Sequence, residues 1–245
     1  MSGRHRSYVF DEHAAGRLRY QEHHRPGPIA LVVLVVAPGV VPVIFRDDVT
    51  SIGIGLFYYG VALFFLVLLY LSGWMNRIKV YDHAVVLDTA WPGGAPYVIP
   101  LSTIDPGRVR YHRRANFIGR RMGQGKRHVR TGPYASQAIT FDGLSPRVAR
   151  RRASDVPEAQ ADRVRPGART VQVDGGDGQT LDLEVETWVV ATGTPRRLLR
   201  ALEQALVDAG RPEAAGMAER LLADPVVERW RQPLTEDEIY RDRAG

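Results

Sequence analysis

Two long apolar runs near the start of the chain interrupt an otherwise polar sequence. Ile52–Trp74 has 23 residues without a charge, and as a helix rising ~1.5 Å per residue it can cross a bilayer core of about 30 Å. Pro28–Phe45 has 18 uncharged residues and contains Pro38, Gly39 and Pro42, so it predicts a shorter span, either straight or kinked at the prolines. The connector between the runs has only six residues, which predicts an antiparallel helical hairpin.

The charges beside these runs predict the orientation of the hairpin. The connector contains Asp47 and Asp48 with a single arginine, whereas positive residues lie outside both runs: Arg4, Arg6, Arg17, Arg19 and Arg25 before the first, Arg77 and Lys79 after the second. Positive residues are retained on the cytoplasmic side of a membrane. Arginine is abundant and lysine scarce, as in high-GC bacterial coding. We therefore expect a multi-pass protein of the bacterial inner membrane with both termini in the cytoplasm.

After the second run the pattern changes to short β-rich segments separated by turns. The predicted strands are Arg77–Tyr81, Ala84–Ala90, Tyr97–Leu101, Arg108–His112, Ala138–Phe141, Thr170–Val173, Thr180–Val185 and Thr187–Ala191. Three glycines among residues 174–178 predict a hairpin that joins the strands Thr170–Val173 and Thr180–Val185. Asn116–Pro133 is glycine-rich and predicts a loop, while Ser145–Gly167 has few large apolar residues and predicts disorder.

One amphipathic helix is predicted near the end of the chain. Thr194 suits the N-cap and Pro195 the first helical position, and Gly210 suits the end of the helix. Between them one apolar face recurs at helical spacing: Leu198, Leu199, Leu202, Ala205 and Leu206. Pro212–Ala223 predicts a second, short helix.

Three segments, Arg77–Val80, Val98–Ile104 and Trp188–Pro195, resemble the bacterial pleckstrin-homology-like (PH-like) membrane proteins, in which a two-helix hairpin precedes a small cytoplasmic domain. The resemblance implies an α+β chain, with a transmembrane hairpin followed by an antiparallel β-sheet or barrel that a C-terminal amphipathic helix closes. Its expected parts are a basic arm (1–27), the hairpin (28–74, spans 28–45 and 52–74), the PH-like domain (75–210) and a short helix with a polar tail (211–245). The domain departs from the family core by a long arginine-rich insertion at about 114–168, which we expect to be flexible.

The charge distribution gives the first candidate binding region. Pro106–Phe141 contains nine positive residues and no acid, and candidate contacts with anionic lipids of the inner leaflet are Arg108, Arg110, Arg113, Arg114, Arg120 and Arg121. A solvated loop explains the same charges equally well, so both readings stay open. Nucleic-acid binding is disfavoured because aromatic residues are too sparse for a stacking platform.

The start of the predicted helix gives the second candidate. Arg196 and Arg197 occupy its first turn, and together with the Thr194 hydroxyl and the free amides they suggest a site for a lipid headgroup or an acidic partner peptide. Solvated arginines are the alternative.

No catalytic or metal motif is found. The chain has no cysteine, and Glu12-His13 and Glu22-His23-His24 are read as part of a solvated juxtamembrane helix. We expect no cofactor, no metal and no enzymatic activity. The favoured function is a non-enzymatic membrane protein whose cytoplasmic PH-like domain mediates interaction or assembly, with an unknown protein or another copy as partner. The alternatives are an anionic-lipid sensor acting through the arginine-rich stretch, or a membrane-associated enzyme whose residues converge only in the fold.

Overall fold

The computed structural model describes residues 15–23, 77–88, 96–114, 129–130, 137–146, 148–149, 169–174 and 180–227, with isolated residues and short runs between 36 and 71 (36, 40, 53, 57, 59–61, 63–68 and 70–71). Most of the two predicted spans therefore lies outside the described residues. Within the part that the structure describes, none of the helices has both the length and the apolar character that crossing a membrane requires.

Four consecutive antiparallel strands form the first sheet. They are β1 (Leu18–His23), β2 (Arg77–Tyr81), β3 (Ala84–Leu87) and β4 (Tyr97–Pro100), in the spatial order β1-β2-β3-β4. Ile78 and Val80 alternate along β2 and are buried, as a strand with one face on the core requires.

The second sheet is built around one long strand. It comprises β5 (Arg110–His112), β6 (Val129–Arg130), β7 (Gln137–Leu144), β8 (Thr170–Asp174) and β9 (Thr180–Thr192). The order is β5-β7-β9-β6, with β8 also paired to β9; the β6–β9 pair is parallel and the others are antiparallel. The β8–β9 pair closes at Asp174 and Thr180, which confirms the hairpin that the glycines predicted.

Two helices follow the sheets: α1 (Pro195–Asp208) and α2 (Met217–Ala223). Short 3₁₀ helices cover Leu101–Thr103, Pro106–Arg108 and Pro212–Ala214. The predicted apolar face of α1 is confirmed, because its five members are buried against β1, β2 and β7. After α1, Gly210 adopts the left-handed conformation (φ 83°) that ends the helix.

The fold is therefore α+β, with antiparallel sheets that curl into a half-barrel, and is compatible with a PH-like domain. Along the chain, the four-strand meander of the first sheet is followed by the second sheet and then by α1. The position of β1 differs from the expectation. The sequence predicted an arm at 1–27 and a domain that begins at residue 75, and it placed Glu22-His23 in a solvated helix. The structure instead has Leu18–His23 as a strand of the first sheet.

Two other predictions change in the structure. Thr180–Val185 and Thr187–Ala191 are parts of one strand, β9, because the intervening Glu186 pairs with Gly143 in the ladder. Disorder was predicted from Ser145 onward, yet Ser145 and Ala149 are buried, and the Ser145 amide donates to the Glu184 carbonyl at 2.8 Å. Residues 150–167 lie outside the described part of the chain, as does the predicted loop 116–133 apart from β6.

Candidate functional site

The two ends of the segment that holds both apolar runs meet in the first sheet. β1 ends at His23, β2 begins at Arg77, and these two residues are cross-strand partners. Directly opposed residues in an antiparallel pair have Cα atoms only about 4.5–5.5 Å apart. The segment 24–76 therefore begins and ends at one point of the first sheet, which we call the exit.

The residue before the exit is held by the segment that starts α1. The Glu22 carboxylate accepts hydrogen bonds from the Gly193 amide (2.6 Å), the Thr192 hydroxyl (2.6 Å) and the Tyr20 hydroxyl (2.5 Å). The Tyr20 oxygen also lies 2.6 Å from Oγ1 of Thr194. Burial raises the pKa of Tyr20, and its hydrogen bond to Glu22 raises it further, so the phenol stays protonated and can donate. The Glu22 carboxylate is thus held by the two residues that precede the N-cap of α1 and by Tyr20 of its own strand.

The other part of β1 is fixed near the far end of α1. Arg19 donates to Oδ1 of Asp82 (2.5 Å) in the β2–β3 turn and to Oδ2 of Asp208 (2.6 Å), the last residue of α1. The Asp82 carboxylate also accepts from the Arg17 amide, and this bond, followed by that from Arg19, lowers the pKa of Asp82. α1 therefore begins beside the exit and runs away from it.

Two of the predicted lipid-binding arginines have structural contacts. Arg108 donates through Nε to Asp142, whose carboxylate also accepts from Arg169 (2.7 Å) and from the Thr187 hydroxyl (2.7 Å). This carboxylate is buried, and a buried charge needs such partners. Arg110 donates to the carbonyls of Gly107 and Val109 at 2.6 and 2.8 Å.

The other predicted residues are exposed or lie outside the described part. Arg113 and Arg114 follow β5 and are exposed, while Arg120 and Arg121 are outside the described residues. Exposed side chains at the start of α1 are Thr194, Arg196 and Arg197. The structure brings Thr194 together with Tyr20 and Glu22, a juxtaposition that sequence reasoning missed, because the two segments are separated by most of the chain.

One cavity among the described core residues is too small for a substrate. This cavity of about 10 Å³ lies between α1 and the sheets, roughly the space of one water molecule, and its lining is apolar: Ile78, Val80, Val85, Ile139, Phe141, Val190, Leu198 and Leu202. His112 is buried with Nε2 at 3.1 Å from the Thr140 hydroxyl, and burial, aided by Arg110, lowers its pKa to about 3. The imidazole is therefore neutral at physiological pH. Among the described residues, no group of three or more His, Asp or Glu side chains is arranged to hold a metal ion.

Comparison of this chain with protein-family models, with curated proteins and with solved structures finds no match.

Proposed function

We propose that this protein is a non-enzymatic membrane protein, in which a PH-like domain is anchored to the cytoplasmic face of the bacterial inner membrane by a helical hairpin and mediates protein interaction or assembly there. The observation that carries the proposal is the pairing of His23 with Arg77 across the apolar segment. In this proposal the hairpin is an insertion between the first two strands of the domain, not an anchor placed before it.

The pairing supports a re-entrant anchor for a geometric reason. Strands hydrogen-bonded in one sheet must lie on the same side of a bilayer, so residues 24–76 cross it an even number of times. Two apolar runs joined by a six-residue connector supply two crossings. The pairing puts both ends of the segment on one side of the bilayer without use of the charges, and the charges beside the runs then assign that side to the cytoplasm in this proposal.

The described helical residues of the second run support contact with lipid. Seven large apolar side chains among them are exposed, with Phe57 at 69% and Phe64 at 61%: Phe57, Val61, Phe64, Phe65, Val67, Leu68 and Leu71. So many exposed apolar side chains are unfavourable in water and are typical of a surface that another apolar phase covers.

The role in interaction rather than catalysis is supported by the residues that would otherwise carry chemistry. His112 is buried and neutral, Asp142 is held by two arginines and a hydroxyl, and the core cavity is apolar and as small as a water molecule. In this proposal the half-barrel, which is compatible with a PH-like domain, serves as a scaffold on whose surface a partner protein or a second copy of the chain binds.

The absence of cysteine allows a direct test of topology. Single-cysteine variants Asp48→Cys in the connector and Ala209→Cys after α1 would be expressed in bacteria and treated with a membrane-impermeant maleimide. We expect position 48 to react in intact cells and position 209 only after permeabilisation. The membrane fraction should also retain the protein in alkaline carbonate. Extraction by carbonate, or labelling of position 209 in intact cells, would refute the proposed anchoring.

A further inference from the structure

Five described arginines that make no salt bridge to a carboxylate lie at the end of the domain that carries the exit, while Arg17 and Arg220, which also make none, are not part of this group. Within the described part of the chain, carboxylates pair with these cations: Arg19, Lys79, Arg108, Arg169, Arg200 and Arg211. Among the same described residues, no salt bridge to a carboxylate is made by Arg77, Arg113, Arg114, Arg196 or Arg197. These five arginines are called the exit surface below.

The topology places all five at the same end of the domain. Arg77 is the exit residue itself, and Arg196 and Arg197 follow Gly193, whose amide binds Glu22 beside the exit. The strand register places the end of β5 there as well, because His112 pairs with Ala138 and the preceding residue of β7, Gln137, pairs with Thr192. Arg113 and Arg114 therefore emerge at the end of the second sheet from which α1 starts.

Acids near the exit surface are engaged elsewhere. Glu22 accepts its three hydrogen bonds from Tyr20, Thr192 and Gly193, and Asp88 lies 3.5 Å from Lys79. Glu219 is paired with Arg200 at 2.7 Å, although Arg196 is close enough to contribute to lowering the pKa of this carboxylate. The exit surface consequently keeps a local excess of positive charge.

The position of Arg196 and Arg197 in the first turn of α1 is unfavourable for the helix itself. Cations in the first turn of a helix are disfavoured by the helix dipole, and α1 has no acid in its first turn and no base in its last. Glu22 lies close to this start, because it accepts from the Gly193 amide just before the N-cap, but it makes no salt bridge with Arg196 or Arg197. Within the described residues the attraction found for these two cations is that of Arg196 for Glu219, which Arg200 already binds, so an external anionic surface gives a reason for both of them that the fold does not.

We propose that the exit surface lies on the headgroups of anionic phospholipids in the leaflet from which residues 24–76 emerge, an inference that rests on the proposed membrane anchoring. The domain is then docked against the bilayer in one orientation, with α1 pointing away from it. An arginine close to an anionic membrane surface favours the docked state by about fivefold, so the loss of two arginines shifts the docking equilibrium by about 25-fold. High salt should weaken docking, because the Debye length falls to about 3 Å at 1 M.

The full-length protein would be reconstituted in nanodiscs made of phosphatidylcholine, either alone or mixed with phosphatidylglycerol. Each protein sample carries one fluorescent label on an introduced cysteine, and the nanodiscs contain a lipid with a spin label on its headgroup, which quenches the fluorescence of a label near the bilayer surface. Val227→Cys reports docking, because Val227 is exposed and follows Val226, whose carbonyl accepts from the Arg113 amide at 3.1 Å. Ala209→Cys reports the end of α1 that points away. The charge variant is Arg196→Gln with Arg197→Gln, and Arg113→Gln with Arg114→Gln is a second one. Arg17→Gln with Arg211→Gln is the matched control, because it removes the same charge far from the exit.

With phosphatidylglycerol present, we expect quenching at position 227 to exceed that at position 209 and to disappear in high salt. Both charge variants should lose the quenching at position 227, and the control variant should keep it. The circular dichroism of all three variants should be unchanged. Equal quenching at position 227 with and without phosphatidylglycerol, in protein that has entered the nanodiscs, would overturn the inference and leave the anchoring intact. Failure to enter the nanodiscs would instead overturn the anchoring. If polyglutamate or RNA abolished the quenching at position 227 while phosphatidylglycerol had no effect on it, the exit surface would bind another kind of partner. That result would also overturn the inference.

Discussion

Replacing residues 24–76 with an Asn-Gly turn should yield a folded, water-soluble domain. The replacement joins His23 to Arg77, which are already cross-strand partners, so it leaves the register of β1 and β2 unchanged. Asn-Gly is suited to this position because the turn that it forms matches the twist of an antiparallel pair. The exposed apolar side chains of Phe57, Phe64 and their neighbours are removed at the same time.

Relative to the full chain, the turn variant should have a higher free energy of unfolding because its loop is shorter. Reducing a loop of about fifty residues to two removes between four and five doublings of loop length at about 0.6 kcal/mol each, or about 3 kcal/mol. A matched fragment that starts at Arg77 lacks β1 altogether. It loses the three hydrogen bonds that Glu22 accepts, worth about 1 kcal/mol each, and leaves the buried Thr192 hydroxyl without that acceptor.

Urea unfolding followed by circular dichroism compares the two proteins, and NMR locates β1 in the turn variant. We expect the turn variant to have the higher unfolding midpoint, with through-space contacts between Gln21 and Lys79 and between Glu22 and Gly193. The reasoning is refuted if the fragment that lacks β1 is as stable as the turn variant, or if those contacts are missing.

Three further outcomes are expected. Glu203→Ala should lower the free energy of unfolding by about 1 kcal/mol in urea titrations, and Gln204→Ala, the control, should change it little. The reason is that the Glu203 carboxylate accepts from the amides of Gly216 (2.9 Å) and Ala218 (2.6 Å) at the start of α2. Gly143→Ala should cost about 1–3 kcal/mol in thermal unfolding, because a Cβ there would lie 2.6 Å from Cγ2 of Ile99. His112 has its pKa lowered from 6.5 to about 3, so the unfolded state binds more protons between these values and stability falls as the pH decreases. His112→Asn should flatten this dependence by up to about 1.4 kcal/mol per pH unit, and an unchanged slope between pH 6 and pH 4 would contradict the assignment.

Most elements after residue 77 could be predicted from local patterns. α1 follows from apolar spacing between Pro195 and Gly210, and β2 from its alternating residues, since each pattern reports which face a segment buries. β1 could not be found in this way. Its sequence, Leu-Arg-Tyr-Gln-Glu-His, is mainly polar, and none of its residues is fully buried. What fixes it is pairing with β2 and the contacts of Arg19 and Glu22, whose partners lie far along the chain.

The candidate binding residues show the same division. Composition identified the arginine-rich stretch and the basic start of α1 but could not tell structural arginines from exposed ones. Arg108 stabilises the buried Asp142, whereas Arg113 and Arg114 are exposed near the exit. Proximity to a carboxylate decides this difference, and proximity depends on strand register.

The sequence by itself determined the apolar segment, most of the strands and the amphipathic helix, because hydrophobic periodicity is a local property of the chain. Only the tertiary structure decided that this segment is an insertion between paired strands and that Thr192 and Gly193, just before α1, bind Glu22. The physical reason is that hydrogen-bond and ion-pair partners are chosen by distance in space, which the fold sets after the local patterns have formed their elements.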